Sequence, residues 1–278
     1  MRGVIQRKIQ AMKNKTPITP ALLSAVYEQP WSIEAGALRA IQSIIERPQS
    51  FELGDLFQSR SPMSIDENGI ATISVTGILG DHAPIAGLLG DTDYSTVSAE
   101  LAEAEANALG VLLCVDSPGG QSCGNLEAAS VVSNLSIPSV AMCEGMACSA
   151  GYAYASATDK VFSTPSALVG SIGVVIPRLD VSEALISQGL KPDNIVSDEL
   201  KGAGMSGAAL TPEQRESMQE IVNDLANAFK EHVTDRRAVD ASSMRGQAFV
   251  GPRAMEHNLV DAIGSTKDAY IDLIEMIG

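Results

Sequence analysis

The chain has 278 residues, 45% of them hydrophobic, enough to bury one large domain or one domain with an appendage. Its formal net charge of −15 argues against a phosphate-binding surface, so no nucleic-acid partner is expected. The sequence has no run of about 18 apolar residues, and the basic N-terminus is not followed by the features of a secretory signal. We therefore predict a cytoplasmic protein without a membrane partner.

Residues 1–60 differ from the rest of the chain and are predicted to form a helical N-terminal arm. Two helical stretches, ITPALLSAVYEQ and SIEAGALRAIQSIIE, are separated at Pro30, and the chain's one tryptophan, Trp31, lies between them. Such an arm packs on the main domain or on a neighbouring subunit, or it is a pro-segment. These alternatives stay open at the level of sequence.

Residues 61–278 predict an α/β domain with largely parallel strands and a helical C-terminal part. Strand patterns (GIATISVTGIL, GVLLCVD, IPSVAMCE and DKVFSTP) alternate with helical ones (STVSAELAEAEANAL, SCGNLEAASVVSNL and SAGYAYASA). Gly110 is predicted to close the first of these helices in a left-handed conformation. A long helix follows later, with Thr211, Pro212 and Gln214 forming a capping box at its start. Its apolar stripe predicts core packing or a subunit interface.

Ser149 is the candidate nucleophile, because it follows an apolar strand and stands at the start of a helix among small residues. The positive end of the helix dipole favours a developing alkoxide at this place. A simple helix-capping serine is the alternative.

Residues 115–122, VDSPGGQS, are the candidate oxyanion site. We expect the strand to end here, turn at Pro118 and present backbone N–H groups before a helix begins near Ser122. The donors predicted are the amides of Gly120 and Ala150, with Gly119 supplying conformational freedom to the turn. An ordinary Pro-Gly-Gly turn is the alternative.

A nucleophilic serine needs a base, and none of the three histidines is favoured by its local sequence. His82 lies in a loop, His257 in a short helix, and His232 is expected on a solvated helix face. Lysine is the other amine that accepts a hydroxyl proton. An ordinary lysine, with a pKa of about 10.4, is neutral at pH 7 in roughly one molecule in 2,500, so a lysine base has to be desolvated.

Lys201 is the favoured base among the five lysines that follow Ser149. The segment SDELKGAGMSGAAL surrounds it with small residues that can fold against another surface and enclose the amine. The other four lysines, in contrast, lie in turns or in charged helical stretches: Lys160, Lys191, Lys230 and Lys267. A flexible surface loop is the alternative for Lys201.

The four cysteines predict small buried thiols in a reducing compartment, because their spacing matches no zinc signature. They are Cys114, Cys123, Cys143 and Cys148. No metal and no cofactor are expected. Cys148 adjoins Ser149 and is the less favoured candidate nucleophile.

Four segments together resemble the signal peptide peptidase A family of serine peptidases over roughly residues 68–275: VDSPGG, MACSAGYAYASATDKVFSTPSALVGSIGVV, VSDELKGAG and RGQAFVGPRAMEHNLVDAIG. The resemblance implies a Clp-protease/crotonase-like fold, Ser149 as nucleophile, Lys201 as general base and Ser171 as a residue that orients the lysine. Ala150 stands where the family more often has glycine, which affects substrate fit more than the N–H group.

The resemblance also implies a homo-oligomer in which serine and lysine can come from neighbouring subunits. The N-terminal segment is similar to the phage-encoded branch, whose members cleave scaffold and capsid proteins during head maturation, so a protein substrate is expected. A crotonase-like acyl-CoA enzyme and a catalytically silent assembly protein are the rival hypotheses.

Overall fold

The computed structural model describes residues 26–27, 29–46, 60–81, 92–205 and 207–278. Most of the first predicted N-terminal helix and His82 lie outside these residues. The domain boundary predicted between residues 60 and 61 falls at the start of the described stretch 60–81 and stays a prediction.

One sheet organises the described chain, and its central strands run parallel. In space the order is β10-β7-β6-β5-β3-β2, with parallel pairing from β3 through β5, β6 and β7 to β10. The strands are β1 Trp31–Ile33, β2 Ser64–Ile65, β3 Ile70–Gly80, β4 Thr92–Asp93, β5 Gly110–Gln121, β6 Ser139–Cys148, β7 Lys160–Ser163, β8 Leu168–Gly170, β9 Ala248–Val250 and β10 Ala262–Ile263. The predicted α/β class with a parallel sheet is confirmed.

Helices cover the sheet and extend the C-terminal half. They are α1 Ala35–Glu46, α2 Tyr94–Asn107, α3 Asn125–Ser133, α4 Ala150–Ser156, α5 Ser182–Ser187, α6 Pro212–Thr234, α7 Gly251–Glu256 and α8 Thr266–Ile277. The predicted capping box begins α6, where the Thr211 side chain accepts from the amide of Gln214. Within the described ranges, no helix is long and apolar enough to cross a membrane.

The core explains why the strand sequences are apolar without alternation. Val111 and Leu113 of β5 pack in one hydrophobic cluster, whereas Leu112 packs in a second cluster that includes Leu273 of α8. Successive side chains point to opposite faces of a strand, so a strand covered on both faces is apolar throughout. This packing holds the ends of β5 and β6 in place, where the candidate site lies.

The prediction for Gly110 is wrong. Helix α2 ends at Asn107 with Ala108 as its C-cap, and Gly110 begins β5. A Cβ atom at Gly110 would lie 2.9 Å from Cδ1 of Ile277. Glycine therefore stands here because α8 packs closely against the strand.

The segment VDSPGGQS is also more extended than predicted. Strand β5 continues to Gln121 and α3 begins at Asn125, so the expected turn at Pro118 and the helix start near Ser122 are wrong. The register of β5 against β6 shifts between Val115 and Ser117. Beyond that shift β1 pairs antiparallel with β5, and the backbone N–H of Glu34 donates to the carbonyl of Pro118, 2.7 Å away. Pairing with β1 keeps the chain extended where the local sequence favours a turn.

The arm contributes this strand and one helix to the described structure. The helix predicted over residues 32–46 is confirmed from Ala35, but residues 31–33 form β1. Trp31 is fully buried, and its indole N–H donates to the carbonyl of Val26 at 3.2 Å. The tertiary pairing overrides the helical pattern at Ser32 and Ile33.

Candidate active site

Ser149 lies at the junction of β6 and α4 in a conformation that is rare for a residue with a side chain. Its backbone has φ 53° and ψ −120°. Its N–H donates to the carbonyl of Gly170 at 2.7 Å, and its Oγ lies 3.5 Å from the carbonyl oxygen of Gly173. Strain of this kind costs about 1–3 kcal/mol and is concentrated at functional sites. The geometry therefore singles out this serine from an ordinary helix cap.

Of the two predicted glycines, Gly119 is brought against Ser149 and Gly120 against Leu79 of β3. Gly119 has φ +105°, and a Cβ atom there would lie 2.9 Å from Cβ of Ser149. A Cβ atom at Gly120 would lie 1.8 Å from the carbonyl oxygen of Leu79. Both positions require glycine, one for its conformation and its contact with Ser149, the other for its approach to β3.

The amides around Ser149 differ in how they are used. As the first residue of α4, Ala150 has an N–H group without an intrahelical acceptor. The N–H of Gly119 donates to Oγ of Ser117 at 3.1 Å, and that hydroxyl donates to the carbonyl of Gly77 at 2.6 Å. Ser117, whose hydroxyl accepts from the amide of Gly119, was not predicted as a site residue, although it stands within the quoted VDSPGG motif.

Ser171 also has an unusual backbone, with φ 53°, and it is nearly buried. Its N–H donates to the carbonyl of Gln247 at 2.8 Å. Ser171 belongs to the same turn as Gly170 and Gly173, which contact Ser149. The structure thus brings Ser171 into the neighbourhood of Ser149.

A cavity of about 580 Å³ adjoins this turn. Ser171 and Gly173 line one side of it, Lys230 of α6 lines another, and Ile33 and Leu38 of the N-terminal arm line a third. The arm therefore forms part of the wall beside the candidate site, which the sequence did not indicate.

Lys201 is not brought to Ser149 within this chain. It lies on a short 3-10 helix, Leu200–Gly202, and its side chain is exposed. No hydrogen bond or ion pair joins its ammonium to Ser149 among the contacts of the described residues. A single chain therefore does not complete the predicted pair of Ser149 and its general base, Lys201.

The two described histidines serve other contacts. Nε2 of His232 lies 3.0 Å from the carbonyl oxygen of Ala153, and the ring is half-buried against α4, so its expected place on a solvated face is wrong. Nδ1 of His257 lies 3.0 Å from Oγ of Ser243, and its ring packs on Phe249. Neither histidine contacts Ser149.

Cys148 is poorly suited to act as the nucleophile. Burial raises the pKa of its thiol to about 12, with a smaller contribution from Glu34, so the thiolate is scarce near neutral pH. Burial raises the pKa of Cys114 to about 11 and that of Cys143 further. Cys123 is exposed, which corrects its prediction as a buried thiol.

The fold and these contacts define an α/β domain with a strained serine at a helix N-terminus, set against a glycine-containing strand. The model of peptidase family S49 matches residues 133–276, just over half of the chain, and the chain belongs to this family. The resemblance predicted from the sequence motifs is thereby confirmed, and it favours a peptidase over an acyl-CoA enzyme.

Among similar proteins, head-tail preconnector protein GP5 of Enterobacteria phage P21 is 32% identical, over 73% of this chain and 42% of that protein. A putative signal peptide peptidase SppA of Enterococcus faecium is 30% identical, over 73% of this chain and 62% of that protein. Capsid assembly protease C of Escherichia phage lambda is 28% identical, over 73% of this chain and 48% of that protein. The chain spans about half the length of these curated relatives.

In solved structures, an enoyl-CoA hydratase of Mycobacterium smegmatis matches with a TM-score of 0.45 and 13% identity, over 80% of this chain and 75% of that chain. This likeness is too distant to bear on function.

Proposed function

We propose that the protein is a serine endopeptidase whose nucleophile is Ser149 and whose general base is Lys201. The observation that carries the proposal is the strained backbone of Ser149 at the start of α4, in contact with Gly119, in a chain of peptidase family S49. The proposal divides the reaction into acylation and deacylation.

In acylation, the neutral amine of Lys201 takes the proton of Ser149 while Oγ forms a bond to the peptide carbonyl carbon. The amides of Gly120 and Ala150 stabilise the oxyanion, and Gly119 lets the strand approach the serine. Collapse of the tetrahedral intermediate breaks the C–N bond, and Lys201 returns the proton to the leaving amine.

In deacylation, Lys201 takes a proton from water, whose oxygen attacks the acyl-enzyme ester. The C–O bond to Ser149 breaks, the serine regains a proton, and the second product leaves as a carboxylic acid. We assign to Ser171 the task of orienting the lysine, because it shares the turn that contacts Ser149.

The lysine reaches the serine of a neighbouring subunit in this proposal. Lys201 lies in a part of the chain with large apolar side chains in solvent, among them Leu179, Ile186, Leu190 and Ile195, the last of which is 95% exposed. Exposed apolar groups of this density are typical of an interface. A homo-oligomer would bury them and desolvate Lys201, as a lysine base requires.

The substrate class follows from the phage relatives. A capsid assembly protease of phage lambda and a head-tail preconnector protein of phage P21 are both similar to this chain. We therefore infer that the substrate is a scaffold or capsid protein cleaved during head maturation, in the host cytoplasm or inside a prohead. A catalytically silent assembly protein is the rival hypothesis.

The test compares the parent chain with Ser149→Ala and Lys201→Ala on an unfolded protein substrate and on candidate scaffold protein. Both variants should lose cleavage, whereas Lys191→Ala, a matched change at another exposed lysine, should retain it. Cleavage by Ser149→Ala at the parent rate would refute the nucleophile assignment, and cleavage by Lys201→Ala would refute the base.

A further inference from the structure

Strand β1 of the N-terminal arm lies close to the candidate nucleophile. Ser149 has no solvent-exposed surface in this chain. The position of a Cβ atom at Gly119, 2.9 Å from Cβ of Ser149, is also 2.2 Å from the carbonyl oxygen of Ser32 and 3.0 Å from Cα of Ile33. The backbone of β1 and the serine thus flank the same glycine.

The pairing of β1 with β5 engages a proposed oxyanion donor. Ser122 N–H donates to the carbonyl of Pro30 at 3.1 Å, and Glu34 N–H donates to the carbonyl of Pro118 at 2.7 Å. Hydrogen-bonded pairs alternate in an antiparallel ladder, so the pair between these two, Ser32 and Gly120, is expected to be hydrogen-bonded as well. We infer from this register that the amide of Gly120 donates to the carbonyl of Ser32.

The opposite edge of β1 is also paired. Trp31 N–H donates to the carbonyl of Val175 at 2.8 Å, and Val175 N–H donates to the carbonyl of Trp31 at 2.9 Å. An extended peptide held along both edges, with its carbonyl on an oxyanion donor, is the manner in which a peptidase holds a substrate strand by its main chain.

Side-chain contacts stabilise β1 in its position beside β5. Trp31 is fully buried, and Ile33 is nearly so and forms part of the wall of the cavity beside Ser171. Oγ of Ser32 lies 2.9 Å from Oγ of Ser122. The segment is therefore held next to Ser149 and forms part of the wall of the neighbouring cavity.

We propose that residues 30–34 are a tethered, substrate-like strand that blocks the peptidase site, and that a substrate strand binds by displacing them. The incoming peptide would pair antiparallel with Gly119–Gln121 and contact Val175 along its other edge. This inference rests on the proposed function, because it identifies the cleft by its proximity to Ser149.

A reversible lock tests the proposal in the full chain. Ser32→Cys with Ser122→Cys places two sulfur atoms where the oxygen atoms are in contact, within reach of a disulfide. Cys123 is exposed and next in sequence, so the background carries Cys123→Ser. The readout is the rate at which a serine-reactive aryl phosphonate labels Ser149, with the labelled peptide identified by mass spectrometry.

The oxidised double variant should be labelled at least about a hundredfold more slowly than its reduced form, since the disulfide opposes opening of the strand. The single variants Ser32→Cys and Ser122→Cys, which cannot form the lock, should be indifferent to reductant. Equal labelling of the locked and the reduced protein would overturn the proposal.

A second variant should raise, rather than lower, the labelling rate of Ser149. Ser32→Pro removes the N–H that pairs with Gly120 and should raise the labelling rate about tenfold, as expected for the loss of one or two main-chain hydrogen bonds. Ser64→Pro, in the short antiparallel strand β2 away from the site, is the matched control and should leave the rate unchanged. An unchanged rate in Ser32→Pro would count against the blocking strand.

The two variants also separate this inference from the proposed function. Labelling of Ser32→Pro but not of the parent chain supports a complete block. Labelling of neither protein, with both folded, overturns the assignment of Ser149 as an active nucleophile and the blocking strand with it. If the cysteine substitutions themselves prevent labelling, the labelling rate of Ser32→Pro still tests whether β1 blocks Ser149.

Discussion

The two halves of the proposed dyad lie in contrasting parts of the molecule. Ser149 sits where β5, β6, α4 and the turn after β8 meet, and it is fully buried within one chain. Lys201 lies in a segment whose larger apolar side chains face solvent. Under the proposed mechanism, one chain therefore holds the nucleophile in position, while the base depends on the surface of a further subunit.

The largest expected effect comes from mixing two inactive variants. Ser149→Ala and Lys201→Ala should each lose about 10⁴-fold or more of the activity, as happens when one member of a catalytic unit is removed. If serine and lysine meet between subunits of a ring, subunit exchange in an equal mixture should restore roughly a quarter of the parent activity. Peptide hydrolysis measured before and after exchange provides the check.

The control for this mixture replaces Lys201→Ala by the Ser149→Ala/Lys201→Ala double variant, which supplies no intact serine. This control mixture should recover no peptide hydrolysis. Absence of recovery in the first mixture, with subunit exchange confirmed by native mass spectrometry, would contradict a dyad shared between subunits.

A substitution next to Ser149 should lower the activity strongly without changing the oligomeric state. Gly119→Ala introduces a Cβ atom 2.9 Å from Cβ of Ser149 and 2.2 Å from the carbonyl oxygen of Ser32 at φ +105°, so the packing of both Ser149 and β1 around this position has to change. We expect a loss of about a hundredfold in kcat/KM, the scale associated with a misplaced oxyanion donor. The measurement is steady-state hydrolysis, with oligomer mass determined in parallel.

Gly189→Ala is the matched control, because Gly189 has φ +77° and no atom within 4 Å of its Cβ position. It should cost about 1 kcal/mol of folding stability from backbone strain alone and leave kcat/KM unchanged. Equal losses of activity in both variants would show that strain, rather than the contact with Ser149, causes the effect.

A substitution in the segment around Lys201 should lower the activity by weakening the association of subunits. Leu190→Asp places a charge on a side chain that is 54% exposed, near Lys201 in sequence, and should lower activity about tenfold at low protein concentration by weakening the interface. The loss should diminish as concentration rises. Leu109→Asp, at a position 57% exposed just before β5, should change neither activity nor oligomer mass.

The smallest effect is expected at Cys148. Because burial raises the pKa of this thiol to about 12, only about one molecule in 10⁴ carries the thiolate at pH 8. Iodoacetamide should therefore modify exposed Cys123 first and leave activity within about twofold of the parent. Inactivation in step with Cys148 labelling would restore the thiol as a candidate nucleophile.

Much of the site was predictable because its signals are local. Ser149 and Ala150 are adjacent at a helix start, and Gly119 and Gly120 follow an apolar strand, so short patterns indicated both. The strain at Ser149 was not predictable, since φ 53° depends on how Gly170 and Gly173 hold the junction.

The N-terminal arm shows where local patterns fail. Ser32 and Ile33 begin a helical pattern in sequence, yet together with Trp31 they form a strand because Gly119–Gln121 and Val175 offer unpaired edges on either side. Backbone pairing between residues about 90 and 140 positions apart leaves no trace in the sequence of either partner. For the same reason VDSPGGQ was predicted as a turn.

By itself, the sequence determined the α/β class, the capping box of α6, the pairing of a serine with a glycine-containing strand, and membership of a peptidase family through four spaced motifs. These depend on periodicity and on residue types at short range. Only the tertiary structure decided that Ser149 is strained and buried, that β1 pairs with β5 beside it, and that no hydrogen bond joins Lys201 to it among the described residues. Those outcomes depend on which distant backbone edges find each other, and that is a property of the packed chain.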